Sequence, residues 1–112
     1  AWMDYSGAVP KGEKGKRVAV TEGITYFDHP ENPRYPTHWH VRVDGWMGAS
    51  FNLLESLEVK KENLIVLRYL LHAQNGPVDP DRADYVQEVF AKKSGCSAGR
   101  AKISHQQFEI LR

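Results

Sequence analysis

The sequence predicts a mainly β fold: an antiparallel sheet or partial β-sandwich with one C-terminal helix at about residues 80–93. Three observations carry this prediction. Polar and apolar residues alternate through 17–21, 24–27 and 37–43, the two-residue period of a half-buried strand. Asp44-Gly45 is a turn pair suited to a tight hairpin. Helix-start signals gather at one place, Asp79-Pro80-Asp81.

Residues 1–16 hold Gly7, Pro10, Gly12 and Gly15 and read as irregular. Arg17–Thr21 is a first strand, which Gly23 bends and Ile24–Phe27 resumes. Prolines at 30, 33 and 36 then preclude a helix or a central strand and leave a stiff loop. Thr37–Val43 is the next strand, Asp44-Gly45 its turn and Trp46–Phe51 its return. A second hairpin is expected from Ser56–Val59 and Leu64–His72, folded around Lys60–Asn63. Its second arm is apolar almost throughout, which predicts a central strand covered on both faces.

Asn75-Gly76-Pro77 ends that strand, and the helix follows. Asp79 is its N-cap, Pro80 fits the first helical position, and Asp81 suits the positive end of the dipole. Ala83, Val86, Val89 and Phe90 share one face at helical spacing. Lys92 and Lys93 stand at the negative end, and Gly95 is the expected terminator. Phe108–Leu111 suits an edge strand inside a tail, residues 94–112, that reads as flexible.

The 112 residues, 12.8 kDa, suffice for one core. The opening Ala1-Trp2-Met3 predicts either a single domain over 1–112 or the C-terminal fragment of a larger sandwich. No apolar run approaches the ~18 residues of a membrane span. The formal charge is +1, and no helix-turn-helix or aromatic-basic pattern is present, which argues against nucleic acid. The basic excess in 92–112 reads as a solvated terminus. The single cysteine, Cys96, permits no intrachain disulfide and has no neighbouring histidine or C-x-x-C partner. No signal peptide, nucleotide-binding fingerprint, P-loop, nucleophile elbow or zinc-finger spacing occurs, so no cofactor is expected.

Chemistry concentrates in the strand at 37–43. Its alternation puts His38, His40 and Arg42 on one face and Trp39, Val41 and Val43 on the other, the second set being expected core. Neighbours on one face stand ~7 Å apart. Two imidazoles and a guanidinium in a row offer directional donors for a polyhydroxylated or anionic ligand. The same histidines could converge on Zn²⁺, Fe²⁺ or Mn²⁺ with a third ligand from Asp28, His29, Asp44 or His72, although Arg42 on that face opposes a cation. They could equally be ordinary sheet residues, with Arg42 paired to a surface acid. Asp28, Glu31, Arg34 and Asp44 neighbour the strand in sequence. A carboxylate beside a histidine suits proton transfer at a sugar, and loop carboxylates also cap turns. Trp2, Tyr5, Tyr35, Trp39 and Trp46 offer faces for sugar rings or for a core.

Three stretches carry a family likeness: Asp4-Tyr5-Ser6-Gly7, then Tyr26-Phe27-Asp28-His29-Pro30-Glu31-Asn32-Pro33-Arg34, then Pro36-Thr37-His38-Trp39-His40-Val41-Arg42. Together they resemble the bacterial PmoA-like family of uncharacterised proteins over roughly residues 2–93. The family is named after methane oxygenase, but a membrane subunit of such an enzyme needs spanning helices that this chain lacks. The resemblance implies a galactose-mutarotase-like β-sandwich, a carbohydrate-related role, and a secreted or periplasmic setting. His29, Arg34, His40 and Arg42 match family motif positions, whereas His38 stands where the family usually has proline. The resulting expectation is saccharide binding, or sugar processing, by His38, His40 and Arg42, with His29 and Arg34 presented by the proline-braced loop. The alternatives are a non-enzymatic homo-oligomer that associates through open sheet edges, and a metal-dependent enzyme.

Overall fold

In the computed structural model, which describes residues 1–111, the chain folds mainly as antiparallel β-structure with one helix towards its C-terminus. Strands β1 (Trp2–Lys11) and β2 (Val18–Asp28) form a long hairpin, in unbroken register from Trp2 opposite Phe27 to Lys11 opposite Val18. This overturns the irregular reading of residues 1–16. Pro10 is tolerated because β1 lies at the edge of its sheet, where a missing N–H costs no ladder bond, and Gly7 pairs opposite Glu22 within the ladder. Gly23 makes no bend either. It lies opposite Ser6 within the continuous ladder.

Strands β3 (Trp39–Val41) and β4 (Met47–Ala49) form the hairpin expected around Asp44-Gly45, both shorter than expected. Gly45 supplies the positive φ, 92°, that this turn requires. Strand β5 (Tyr69–Asn75) pairs antiparallel with the far side of β2, from Tyr69 opposite Asp28 to Asn75 opposite Glu22. The main sheet therefore runs β1-β2-β5. The helix α1 (Pro80–Ala91) begins as its sequence requires. The Asp79 carboxylate accepts the N–H groups of Asp81 and Arg82 at 3.1 and 3.3 Å, and Pro80 occupies the first turn. It ends at a Lys92 cap, so Gly95 is not the terminator. Strands β6 (Ser97–Arg100) and β7 (Phe108–Leu111) close the chain as a small separate hairpin.

The expected second hairpin does not form. Ser56–Val59 is not a strand, and the apolar run becomes strand only from Tyr69 onward. The reason is the partner's length. The β2 strand stops at Asp28, so beyond Tyr69 only the His29 N–H to Arg68 O bond continues the ladder. Leu64 is 91% exposed as a result, and β5 is an edge strand rather than a covered central one.

The two faces of the main sheet differ. Trp2, Phe27 and Leu70 fall in one row, with Asp4, Thr25 and His72 in the next. This face meets α1: Trp2 Nε1 donates to Asp84 Oδ1 at 2.8 Å, and the helix packs against β2. The opposite face carries Tyr26 and Tyr69, which cluster with Trp39 of the small hairpin at ring-centroid distances of 5.2–5.3 Å. Only Phe27 and Ala83 are fully buried apolar residues among those described. Five polar residues join them inside: Thr25, Asp28, His29, Asn32 and Thr37. The exposed area is 9,089 Å², against ~6,300 Å² for a compact globule of this mass. The radius of gyration, 17.6 Å, likewise exceeds the ~13 Å of a compact chain of this length.

Hydrogen bonds do what the small apolar core cannot. Asp28 accepts from Asn32 Nδ2 through Oδ1 and from the Thr37 N–H through Oδ2, both at 2.8 Å. Asn32 Nδ2 also donates to Arg68 O, and Asn32 Oδ1 accepts the Arg68 N–H, both at 2.7 Å. The Asp28 carbonyl accepts from Gln87 Nε2 of the helix at 3.0 Å. Removing the Asp28 carboxyl strands buried donors, each costing about 1–3 kcal/mol. Asp28→Ala is therefore expected to lower stability by about 2–3 kcal/mol, against about 1 kcal/mol for loss of the helix cap in Asp79→Ala. Urea midpoints of the two variants check this, and a smaller shift for Asp28→Ala than for Asp79→Ala contradicts it.

Candidate functional site

The turn at Asp44-Gly45 sets the two faces of the small hairpin. Trp39 leans on Tyr26 of the sheet, and Met47, opposite Val41, turns the same way. By alternation His38, His40 and Arg42 project from the outer face, and all three are exposed. The three therefore share one face by alternation, and backbone bonds from Arg42 N to Trp46 O and from Ser50 N to His38 O continue the pairing at both ends of the 39–41 ladder. The expected core set does not form: of Trp39, Val41 and Val43 only Trp39 packs on the sheet, and Val41 and Val43 are both exposed. Arg42 Nη2 donates to Asp44 Oδ2 at 2.6 Å, which fixes the guanidinium direction. Neither His38 nor His40 has a side-chain hydrogen bond among the described residues.

The two loop residues lie elsewhere. His29 is 1% exposed and packs edge-on against Phe90 of α1, with ring centroids 5.0 Å apart. Its Nδ1 accepts the Glu31 N–H at 3.1 Å, so the ring proton sits on Nε2. That Nε2 and Gln87 Oε1 are buried without a protein partner. Arg34 has φ 61°, and its Nη2 donates to Ser56 O at 3.0 Å with Nη1 on Glu55 O. It clamps the segment after β4 rather than joining the histidines. Among the described residues no three His, Cys, Asp or Glu side chains gather as a metal site, and Cys96 is exposed. Among the described residues no helix is long and apolar enough to cross a membrane.

Beneath the hairpin, the main sheet and the turn enclose a half-open cavity of about 820 Å³. Tyr5, Ile24 and Ala73 form one row of its floor, and Gly7, Glu22 and Asn75 the next. Gly45 and Met47 form its rim, and the Gly45 N–H donates to the Tyr5 hydroxyl at 3.0 Å. The volume falls within the roughly 300–1,000 Å³ of small-molecule sites. Burial pushes the Tyr26 phenol up, and the nearby Asp28 carboxylate adds to this. The Tyr69 phenol rises for these reasons and through the neighbouring Tyr26 as well. Both rings thus offer neutral hydroxyls at ordinary pH.

On the helix side, Asp4 gathers three donors: Thr25 Oγ1 at 2.8 Å, Gln74 Nε2 at 2.6 Å, and the Ser6 hydroxyl. The cluster fits over Gly23, where an added Cβ would collide with Ser6 Oγ. Burial raises the Asp4 carboxyl, and the three hydrogen bonds outweigh it, leaving the group below its usual 3.8. A carboxylate so held is a poor base near neutrality, so it reads as a strand-to-strand tie. The sequence carried a signal for it: Asp4 and Ser6, two apart, share a strand face.

The Asp4 carboxylate stabilises the fold above its unfolded value near 3.8, and the contribution disappears as pH falls through the lower folded value. Asp4→Asn should therefore be less stable than the unsubstituted protein at pH 6, with the gap narrowing below pH 4. Urea titrations at several pH values measure this, and a gap constant from pH 6 to pH 2 contradicts it.

The model of a family of unknown function, DUF6807, matches residues 1–87, and the chain belongs to that family. No curated protein and no solved structure matches it.

Proposed function

We propose that this member of the family binds carbohydrate through the outer face of the β3–β4 hairpin. The observation that carries the reading is the exposed set His38, His40 and Arg42. Two imidazoles there are free of side-chain partners, and a guanidinium is aimed by Asp44. Such groups form directional hydrogen bonds to hydroxyls and carboxylates, and holding Arg42 in place reduces the entropy lost on binding. The likeness to PmoA-like proteins and their galactose-mutarotase-like sandwich is consistent with this role and with a secreted or periplasmic setting.

Binding is a better reading than bond cleavage. The carboxylate beside the row, Asp44, is committed to Arg42 at 2.6 Å and is not placed as a free acid or base. A second reading, self-association, is favoured by one observation: β1 and β5 both leave an unpaired edge.

Replacing His40 and Arg42 together by alanine should weaken binding by about tenfold or more while leaving the far-UV circular dichroism unchanged, since both are exposed. Calorimetric titration with a panel of neutral and uronic-acid oligosaccharides reads this out. Unchanged affinity in the folded double variant rejects the hairpin face as the site.

A further inference from the structure

We propose that two copies of this chain pair through the outer edge of β5, antiparallel about a two-fold axis at His72. The two three-stranded sheets then become one sheet of six strands. The inference rests on the self-association reading and adds to it the edge, the register and the consequence.

The two edges of the main sheet are not equivalent. The β1 edge carries Asp4, Pro10 and Lys11, residue types that blunt an edge against pairing. The β5 edge, Tyr-Leu-Leu-His-Ala-Gln-Asn, has no Lys, Arg, Asp, Glu or Pro. Leu71 is 59% exposed, and no strand pairs with this edge among the described residues. Immediately upstream, Leu64–Leu67 is apolar and outside any strand, with Leu64, Val66 and Leu67 exposed. An edge of this composition is a template for another strand.

A second copy is the occupant that fits. His72 is the middle residue of β5, and placing it opposite its own copy pairs the whole strand. Leu71 then faces Ala73, Leu70 faces Gln74, and Tyr69 faces Asn75 of the other copy. No fixed charge opposes a like charge in this register. The two-fold axis stands perpendicular to the sheet, so both cavities open on the same side. Leu71 and Ala73 of the two copies form a continuous apolar strip between them. In this register the N–H and C=O groups that β5 leaves unpaired along its outer side find partners in the second copy.

Sedimentation equilibrium of the full chain tests the proposal, with a dimer expected. Leu71→Lys with Ala73→Lys sets like charges directly across the axis and is expected to give a folded monomer. Val9→Lys, on the β1 edge, should remain dimeric. A second measurement does not depend on the double variant folding. Directly opposed residues stand about 4.5–5.5 Å apart at Cα, within disulfide range. His72→Cys in a Cys96→Ser background should therefore oxidise to a covalent dimer. A monomeric unsubstituted chain overturns both the self-association reading and this one. A dimer abolished by Val9→Lys but not by the β5 substitutions, or one that His72→Cys does not cross-link, overturns the β5 pairing alone.

Discussion

The fold depends on one buried polar knot. Asp28 is fully enclosed, and its carboxyl, carbonyl and N–H each serve a different part of the chain. The carboxyl holds Asn32 and the start of the hairpin segment at Thr37, the carbonyl takes Gln87 of the helix, and the N–H donates to Ala1 O. Asn32 passes the constraint on by bonding both backbone groups of Arg68, which sets β5 alongside β2. Arg68 completes the arrangement with its guanidinium on Glu31 at 2.7 Å and on the Lys93 carbonyl beyond the helix. A buried carboxyl without such donors would cost several kcal/mol, so the arrangement tolerates little loss.

This explains why a small apolar core suffices to organise the chain and why so much apolar surface stays outside. Phe27 and Ala83 seal the helix to the sheet, and hydrogen bonds fix the rest. The sheet's other face gains Trp39, Met47 and the Gly45 turn from the hairpin, which leaves Ile24 and Leu71 bordering an open cavity. Layered domains normally bury such a face against a second element.

The sequence was readable where the signal was local. The Asp79-Pro80 start of the helix and the Asp44-Gly45 turn are stereochemical requirements that no distant contact overrides. Strand β1 was hidden because Gly7 and Pro10 argue against a strand, and only pairing along β2 outweighs that preference. The Leu64–Leu71 run misled for the opposite reason. Apolar content reports what could be buried, whereas burial needs a partner strand, and β2 ends too soon. In the site, the alternation of His38, His40 and Arg42 was legible from periodicity alone. The fates of His29 and Arg34 were not, since their partners Phe90 and Ser56 are distant in sequence.

The long excursion between β2 and β5 also orders events in time. The β1–β2 hairpin closes a short turn and can form within roughly 1–10 μs. Joining β5 to it first requires residues 29–68 to close on themselves, a slower search that gains nothing until Asn32 meets Arg68. Until that loop closes, the LIVLRYLL run has no β2 strand to pair with. In a cell, the yield of folded protein would then be decided by how quickly that loop closes relative to collisions between nascent copies, and so by expression rate and temperature as much as by equilibrium stability.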